Sequence, residues 1–270
     1  MSSPTAITVG QLGRLVGTPS APHVLDVRID EDVAADPHLI PGARLVPFAD
    51  VARLADELAG QRIVVACQKG LKLSQGSAAL LRTLGAPAEF LEGGTEAWRR
   101  SGAPAVPIAA LPKPIHDATL WVTRHRPKID RIACPWLVRR FVDRRARFLF
   151  VAPSEVDAVA DRFGATPFDV EGAALSHRGD RCSFDTMVEA FGLGGEALHR
   201  LATVVRAADT NRHDLAPQAA GLLAVSVGLS RLHRDDLEQL EAGMALYDAL
   251  YRWARDGHEE GHDWPTGRAA

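Results

Sequence analysis

Cysteine is scarce in this chain: 270 residues contain three, Cys67, Cys134 and Cys182. They are odd in number and far apart, whereas a disulfide framework needs paired cysteines at short spacings. This scarcity excludes the disulfide-rich secreted class and favours a reducing compartment, in which each thiol has its own role. We therefore expect a cytoplasmic protein.

Long apolar runs and a strong charge of one sign are also missing. No stretch approaches the roughly 20 apolar residues of a membrane-spanning helix, so we expect no membrane partner. The opening residues, MSSPTAITVG, lack the basic and then apolar segments of a signal peptide. The net charge of −3 gives no general attraction to nucleic acid.

What is present is the composition of an ordinary folded protein, 46% hydrophobic and 24% charged, with enough length for two domains. Four prolines between residues 104 and 114 predict an extended, stiff connector. We place a first domain at residues 1–107, a proline-rich linker at 108–117 and a second domain at 118–270.

Short apolar runs alternate with amphipathic segments in the first domain. This alternation predicts a parallel sheet with helices on both faces, which is an α/β fold. The predicted strands are residues 23–27, 62–66 and 88–93, and the predicted helices are residues 50–60, 74–85 and 95–102. Asp50 and Gly60 are the expected ends of the first of these helices.

The second domain changes in character along its length. It begins with strands mixed with short helices and is almost entirely helical from Ser183 onward, which indicates an α+β, mostly helical domain. Strands are expected at residues 118–123, 147–152 and 166–170, and helices at 135–143, 154–163, 183–191, 195–208, 217–231 and 236–255. In the last helix, apolar residues recur every three or four positions, as on one buried face.

Cys67 directly follows the predicted strand 62–66, and a helix begins a few residues later. Loop amides that lead into a helix N-terminus bind anions. This positive environment, with Lys69 and Lys72, favours the thiolate of Cys67, and Gly70 permits a tight loop. Such a thiolate is suited to attack a sulfur oxyanion such as thiosulfate. The alternative is an inert buried cysteine, the usual state of a free cysteine.

Three stretches of the first domain match one known family. They are LDVR (25–28) with LIPGARLVPF (39–48), CQKGLK (67–72), and LEGGTEAW (91–98) followed by GAPAV (102–106). In this order, and over residues 5–107, they resemble the rhodanese family of sulfurtransferases. The resemblance implies that Cys67 is catalytic and carries sulfur as a persulfide.

The same resemblance assigns roles around Cys67. The substrate-binding loop comprises Gln68, Lys69, Gly70, Leu71 and Lys72. Lys72 is catalytic by this resemblance and stands where the family often has arginine. Leu73 replaces a frequent small hydroxyl residue, with Ser74 displaced by one position, and an extra residue separates His38 from the IPGA turn. These departures bear on the choice of sulfur donor.

A two-step reaction is implied. The Cys67 thiolate takes sulfur from thiosulfate or another sulfane-sulfur donor, and a thiol acceptor or cyanide then removes it. Loop amides, with Lys69 or Lys72, stabilise the charge that develops on the leaving group. No cofactor is expected for this domain. Asp26 and Arg28 are expected to be structural and to tie the strand end to neighbouring loops.

Basic residues are concentrated at the start of the second domain, with nine lysines and arginines against two aspartates over residues 121–148. Arginines 139, 140, 144 and 145 flank a short predicted helix, and we expect a solvated face with some attraction for anions. A nucleic-acid surface is the alternative, but no reader motif accompanies the charge. We therefore expect no nucleic-acid partner.

Polar clusters in the second domain suggest a metal or redox site. Histidine, thiolate and carboxylate are ligands for zinc or iron, and distant segments can assemble one site. The candidate metal ligands are His125, Cys134, His177, Cys182 and Asp209. Because no compact ligand spacing is present, the alternative is that these residues brace helix ends. HEEGH (258–262) matches a zinc-protease pattern, but Gly257, Gly261 and Pro265 interrupt the helix that this chemistry needs.

Five stretches of the second half, residues 121–137, 164–185, 206–232, 240–253 and 261–265, match one known family. Over residues 119–264 they resemble the C-terminal domain of bacterial chromate-resistance proteins. The resemblance implies a link to chromate or related oxyanions. Together with the polar clusters and the first domain, it suggests a sulfurtransferase fused to a metal- or redox-active domain that acts in oxyanion resistance. The alternative is a chromate-responsive regulator in which the rhodanese domain acts as a sensor.

Overall fold

The chain alternates between short strands and helices in its first half and becomes mainly helical towards its end. The computed structural model describes residues 5–115 and 117–261. Its strands are β1 (Ala6–Ile7), β2 (His23–Asp26), β3 (His38–Leu39), β4 (Arg44–Leu45), β5 (Ile63–Ala66), β6 (Ala88–Leu91), β7 (Val106–Pro107), β8 (Leu120–Arg124), β9 (Arg147–Val151) and β10 (Thr166–Pro167).

Helices connect these strands and fill the C-terminal half. The α-helices are α1 (Val9–Leu15), α2 (Asp30–Ala35), α3 (Leu54–Glu57), α4 (Lys72–Thr83), α5 (Gly94–Arg100), α6 (Asp130–Leu137), α7 (Val156–Phe163), α8 (Ser183–Ala190), α9 (Glu196–Asp209), α10 (Ala219–Leu232) and α11 (Asp236–Arg252). Short 3-10 turns cover Phe48–Arg53, Ile108–Ala110, Pro153–Glu155 and His213–Leu215, and π-helical turns cover Val138–Val142 and Trp253–Gly257. Among the described residues, no helix combines the length and apolar character that crossing a membrane requires.

A five-stranded parallel sheet, in the order β1-β6-β5-β2-β4, organises the first half. Successive side chains of a strand point to opposite faces, so each strand contributes to two cores. Val65 of β5 packs with Leu81 of α4 on one face, whereas Val64 packs on the other face in a cluster with Trp98 of α5. The predicted α/β fold with both sheet faces covered is confirmed.

The second half has a small parallel sheet, β10-β8-β9, next to a group of helices. Trp121 of β8 is fully buried and lies edge-on to Phe168 and Phe191, with ring centroids 6.3 Å apart in each pair. Trp136 of α6 packs against Tyr251 of α11 at 5.5 Å. The expected α+β, mostly helical character of this half is confirmed.

One apolar cluster runs from the first half into the second. Phe141 of the second half lies so close to Gly17 that a Cβ on Gly17 would be 2.2 Å from the phenyl ring. The Phe141 carbonyl accepts a hydrogen bond from the Gly42 amide at 2.6 Å, and Arg144 donates to the Pro22 carbonyl at 3.1 Å. The two halves therefore share a packed interface.

The proline-rich segment between the halves has defined local structure. Val106 pairs antiparallel with Leu39, so β7 adds to β3 as a two-stranded ribbon. A 3-10 turn over Ile108–Ala110 follows, and Ile115 forms a bridge with Ala118.

Proline explains two boundaries that differ from the predicted ones. The predicted helix 50–60 is a 3-10 turn followed by α3, and it begins at Phe48 rather than at a capping Asp50. Pro47 precedes this turn with φ −54°, close to the helical value that its ring enforces.

Helix α6 begins at Asp130, five residues before the predicted start of 135–143. Pro135 lies inside this helix, where it provides no N–H donor, and a π-helical turn follows directly. The predicted strand 166–170 is reduced to β10, because Pro167 provides no ladder donor either.

Candidate functional site

Cys67 lies at the carboxyl end of β5, near the middle of the parallel sheet. Ligands of open parallel sheets bind outside the carboxyl ends of the strands, where the connecting loops meet. The residue is 5% exposed, and residues 68–71 connect it to α4. The predicted strand, cysteine, loop and helix therefore occur in the expected order.

Backbone amides in the first turn of α5 bind the backbone carbonyls of the Cys67 loop. The Thr95 amide donates to the Cys67 carbonyl at 2.9 Å, and the Glu96 amide donates to the Gln68 carbonyl at 3.0 Å. In a trans peptide the N–H points opposite to the preceding C=O. The amides of Gln68 and Lys69 are therefore directed away from α5.

Two glycines make this close approach feasible. Gly70 has φ +68°, and a Cβ there would lie 2.5 Å from the Leu91 carbonyl oxygen. Gly94 has φ +61°, and a Cβ there would lie 2.1 Å from the Cys67 carbonyl oxygen. Both positions combine a left-handed backbone with no room for a side chain, which only glycine tolerates without strain.

The N–H groups of residues 68–71 donate no hydrogen bond to any other group of the described residues. Unpaired amides that lead into a helix N-terminus are suited to hold an anion. Lys69 and Lys72 are exposed beside them. The loop next to the Cys67 thiol thus provides backbone donors and positive charge.

Ser74 contacts the Cys67 thiol, although the sequence indicated no functional role for this serine. Its Oγ lies 3.1 Å from the Cys67 Sγ, and the side chain is fully buried in the first turn of α4. The sequence signal that could have indicated this contact is the position of Ser74, seven residues after Cys67 and in the first turn of the helix that follows the loop. Ser74 can therefore donate a hydrogen bond to a thiolate at Cys67.

Asp26 and Arg28 brace the adjacent strand end. The Arg28 guanidinium pairs with the Asp26 carboxylate at 2.8 Å, with both side chains buried. It also donates to the carbonyls of Asp36 and His38, both at 2.8 Å. These contacts tie β2 to the β3 region, which confirms the predicted structural role.

A second cluster of polar groups lies in the C-terminal half. His177 Nε2 is 3.2 Å from Asp209 Oδ2, 3.4 Å from Asp169 Oδ1 and 3.5 Å from Asp130 Oδ2. Of the predicted metal ligands, the structure thus brings His177 and Asp209 together. The two further carboxylates, Asp130 and Asp169, were not among the candidate ligands.

The other three candidate ligands do not join this group. Within residues 5–115 and 117–261, one set of at least three potential ligands converges, and it comprises Asp130, His177 and Asp209. His125 is exposed at the end of β8. Cys134 is fully buried in α6, and the Cys182 Sγ donates to Asp185 Oδ2 at 3.3 Å.

Burial controls the protonation of these thiols and carboxyls. It raises the pKa of Cys134 and of Cys182, and the nearby Asp130 carboxylate raises both further. Both thiols are therefore protonated at neutral pH. Burial also raises the pKa of Asp130 and of Asp209, with the neighbouring carboxylates as the next cause.

The predicted solvated arginine face is wrong, because these arginines have protein partners. Arg139 pairs with Glu241 at 2.5 Å, Arg140 pairs with Asp248 at 2.8 Å, and Arg144 donates to a backbone carbonyl of the first half. Each of these side chains is largely removed from solvent by the packing of the two halves and α11. The long apolar stem of an arginine can pack at an interface, so an arginine does not have to lie on a solvent-exposed surface.

Residues 258–261 of the HEEGH segment follow a π-helical turn and are not in a regular helix. His258 contacts its neighbour Glu259 at 3.7 Å. His262 and Trp264 lie outside the described residues.

The fold and the loop at Cys67 define the class of the first half, and the family comparison agrees. Residues 8–101 match the model of the rhodanese-like domain, and residues 121–254 match the model of the ChrB C-terminal domain. The chain therefore carries a rhodanese-like domain followed by a ChrB C-terminal domain.

The chain is similar to Protein ChrB of Cupriavidus metallidurans, with 39% identity over 133 residues, which covers 48% of this chain. The chain spans 39% of the length of that curated relative.

About a third of the chain is similar to solved structures. A rhodanese-like domain protein from Staphylococcus aureus has 26% identity and a TM-score of 0.32, covering 35% of this chain and 90% of that one. A thiosulfate sulfurtransferase from Pseudomonas aeruginosa has 30% identity and a TM-score of 0.33, covering 37% of this chain and 19% of that one.

Proposed function

We propose that this chain is a sulfurtransferase that carries sulfane sulfur as a persulfide on Cys67 and acts in the response to chromate or related oxyanions. The observation that carries the proposal is the loop of unpaired amides, residues 68–71, between the Cys67 thiol and the N-terminus of α4. The rhodanese-like domain supports the sulfur chemistry. The ChrB C-terminal domain supports the link to chromate.

In the first step, the Cys67 thiolate attacks the outer sulfur of a donor such as thiosulfate. A bond forms between Cys67 Sγ and that sulfur, and the sulfur–sulfur bond of thiosulfate breaks, so that sulfite leaves with the bonding electron pair. The loop amides and Lys72 stabilise the negative charge on the leaving group. Ser74, at 3.1 Å, stabilises the attacking thiolate.

In the second step, an acceptor thiolate or cyanide attacks the outer sulfur of the persulfide. The bond between the two sulfurs breaks, and its electron pair returns to Cys67 Sγ as a thiolate. The α5 contacts to the Cys67 and Gln68 carbonyls keep the loop in place through both steps. Neither step needs a cofactor.

The test is turnover of thiosulfate and cyanide to thiocyanate and sulfite by the full chain. We expect turnover by the natural sequence and none by Cys67→Ser. Cys182→Ser is the matched control, because this thiol is also buried but lies in the other half of the chain. Absence of turnover with a broad panel of sulfur donors would overturn the proposal.

A chromate-responsive regulator is the alternative, and its DNA contacts would need a free basic surface. Arg139 and Arg140 are instead paired with carboxylates of α11. Specific DNA binding that chromate relieves, by a protein that forms no persulfide, would favour the regulator.

A further inference from the structure

Four side chains that the sulfur chemistry does not use meet in the C-terminal half. Asp130 is the first residue of α6, Asp209 is the last residue of α9, Asp169 follows β10, and His177 lies in the loop before α8. They come from separate parts of the chain, and three of them, Asp130, His177 and Asp209, offer ligand atoms that all lie within 4.8 Å of one another. We propose that Asp130, His177 and Asp209, assisted by Asp169, bind a divalent transition-metal ion of the zinc, iron or manganese class.

The spacing of the ligand atoms fits such an ion. Zinc, iron and manganese bind carboxylate oxygen and imidazole nitrogen at about 2.0–2.2 Å. Two ligand atoms at this distance are then about 3.0 Å apart at a right angle and about 3.4 Å apart at the tetrahedral angle. The separations of His177 Nε2 from Asp209 Oδ2 and from Asp130 Oδ2, 3.2 and 3.5 Å, are close to these edges of a coordination shell.

Hydrogen bonding alone does not account for this convergence. An imidazole N–H donates well to one acceptor, and N–H···O bonds are usually about 2.7–3.2 Å long. His177 Nε2 faces three carboxylates, and the contacts to Asp130 and Asp169 are longer than that range. An ion between these groups is instead bound by His177, Asp130 and Asp209 at once.

The charges of the cluster leave room for a cation. Arg124 and Arg131 both contact Asp169 Oδ2, at 3.1 and 3.3 Å. Within the described ranges, His177 is the only ion-pair partner of Asp130 and of Asp209. A carboxylate as buried as Asp130, at 1% side-chain exposure, is costly without a compensating positive charge.

The carboxylates are also held in place by donors behind them, as metal-ligating groups usually are. The Ser183 amide donates to Asp130 Oδ2 at 2.7 Å, and the Ser183 hydroxyl donates to Asp169 Oδ1 at 2.8 Å. His177 is 42% exposed, so an ion has a path from solvent to the buried carboxylates.

The donor set determines the class of ion. Two carboxylates and one imidazole are hard or borderline ligands, which suit manganese, iron and zinc better than a soft ion such as copper(I). Within the described residues, the thiols of Cys134 and Cys182 are not among the converging ligand atoms. The proposed shell thus replaces the cysteine-containing ligand set that the sequence suggested.

The experiment is calorimetric titration of Zn²⁺ and, separately, Mn²⁺ into the full chain, purified without a histidine tag and stripped with a chelator. We expect one saturable site per chain for at least one of the ions. The variants His177→Gln and Asp209→Asn should each weaken the Kd at least about 100-fold, because they remove a direct ligand. Circular dichroism checks that both variants fold.

Matched controls use exposed residues near α9, His199→Gln and Asp214→Asn. Both controls should bind the ion with the Kd of the natural sequence. No saturable site for either ion, or a site that His177→Gln and Asp209→Asn leave unchanged, would overturn the proposal. Cys67→Ser should bind the ion normally, so the outcome is independent of sulfur transfer.

Discussion

A methyl group at position 94 should disable the Cys67 loop without touching the thiol itself. In Gly94→Ala the new Cβ would lie 2.1 Å from the Cys67 carbonyl oxygen and 2.5 Å from the Gln68 carbonyl oxygen. Carbon and oxygen atoms without a bond between them need more than 3.0 Å. The loop and α5 must therefore move apart by about 1 Å.

This displacement sets the size of the effect. A misplacement of about 1 Å at a reacting group costs on the order of 100-fold in rate. The left-handed φ of +61° adds a strain of about 1–2 kcal/mol for alanine, which lowers stability. We therefore expect kcat/KM for thiosulfate and cyanide to fall about 100-fold in Gly94→Ala, with a lower thermal midpoint.

The variant Gly102→Ala is the control for Gly94→Ala, because it introduces the same backbone strain without a contact to the Cys67 loop. Gly102 follows the same helix with φ +74°, but a Cβ there meets nothing within 4 Å. It should lose similar backbone stability and retain its sulfurtransferase activity. Equal activities of the two variants would refute the claim that the close approach at Gly94 positions the loop.

Three further substitutions have expected outcomes. Ser74→Ala removes the hydroxyl 3.1 Å from Cys67 Sγ and should lower kcat/KM about fivefold, for a hydrogen bond of about 1 kcal/mol. Gly17→Ala would place a Cβ 2.2 Å from the Phe141 ring and should lower the free energy of unfolding in urea by about 2 kcal/mol. Burial lowers the pKa of His23 from 6.5 and so favours its neutral form in the folded state, so stability should fall as pH drops through 6.5. His23→Gln should remove that part of the pH dependence, measured by urea unfolding at about pH 8 and about pH 5.

Each of these predictions has a control and a contrary result. Ser77→Ala, one turn along α4, should leave kcat/KM unchanged, and an equal loss in both serine variants would contradict the role of Ser74. Gly60→Ala, at φ +70° in open space, should lose only the backbone strain, and an equal loss at Gly17 would argue against the tight interface. The exposed His199→Gln should keep the natural pH dependence, and an unchanged slope in His23→Gln would show that His23 is not responsible.

The periodicity of apolar residues was enough to predict most of the fold. The runs at residues 62–66 and 88–93 are strands of the main sheet, and the intervals of three and four near the end of the chain are a buried helix face. The predicted helix starts at residues 50 and 135 were wrong, and a proline lies close to each of them, at Pro47 and Pro135. Whether a proline precedes a helix or lies inside it depends on the tertiary packing around it.

The sites were predictable to different degrees. The Cys67 loop is local in sequence, so its strand, glycine and helix could be read directly. The four-residue cluster of the second half is assembled by tertiary packing, and no local pattern marks Asp169 as a neighbour of His177. The prediction that Arg139 and Arg140 face solvent was wrong because their carboxylate partners lie about 100 residues further along the chain, on α11.

The most direct test of the sulfur-transfer proposal is the intact mass of the protein after incubation with thiosulfate and removal of small molecules. We expect a gain of one sulfur atom on the natural sequence, no gain on Cys67→Ser, and loss of the added sulfur when cyanide is supplied. No gain of mass, or the same gain on Cys67→Ser, would contradict the claim that Cys67 carries the sulfur.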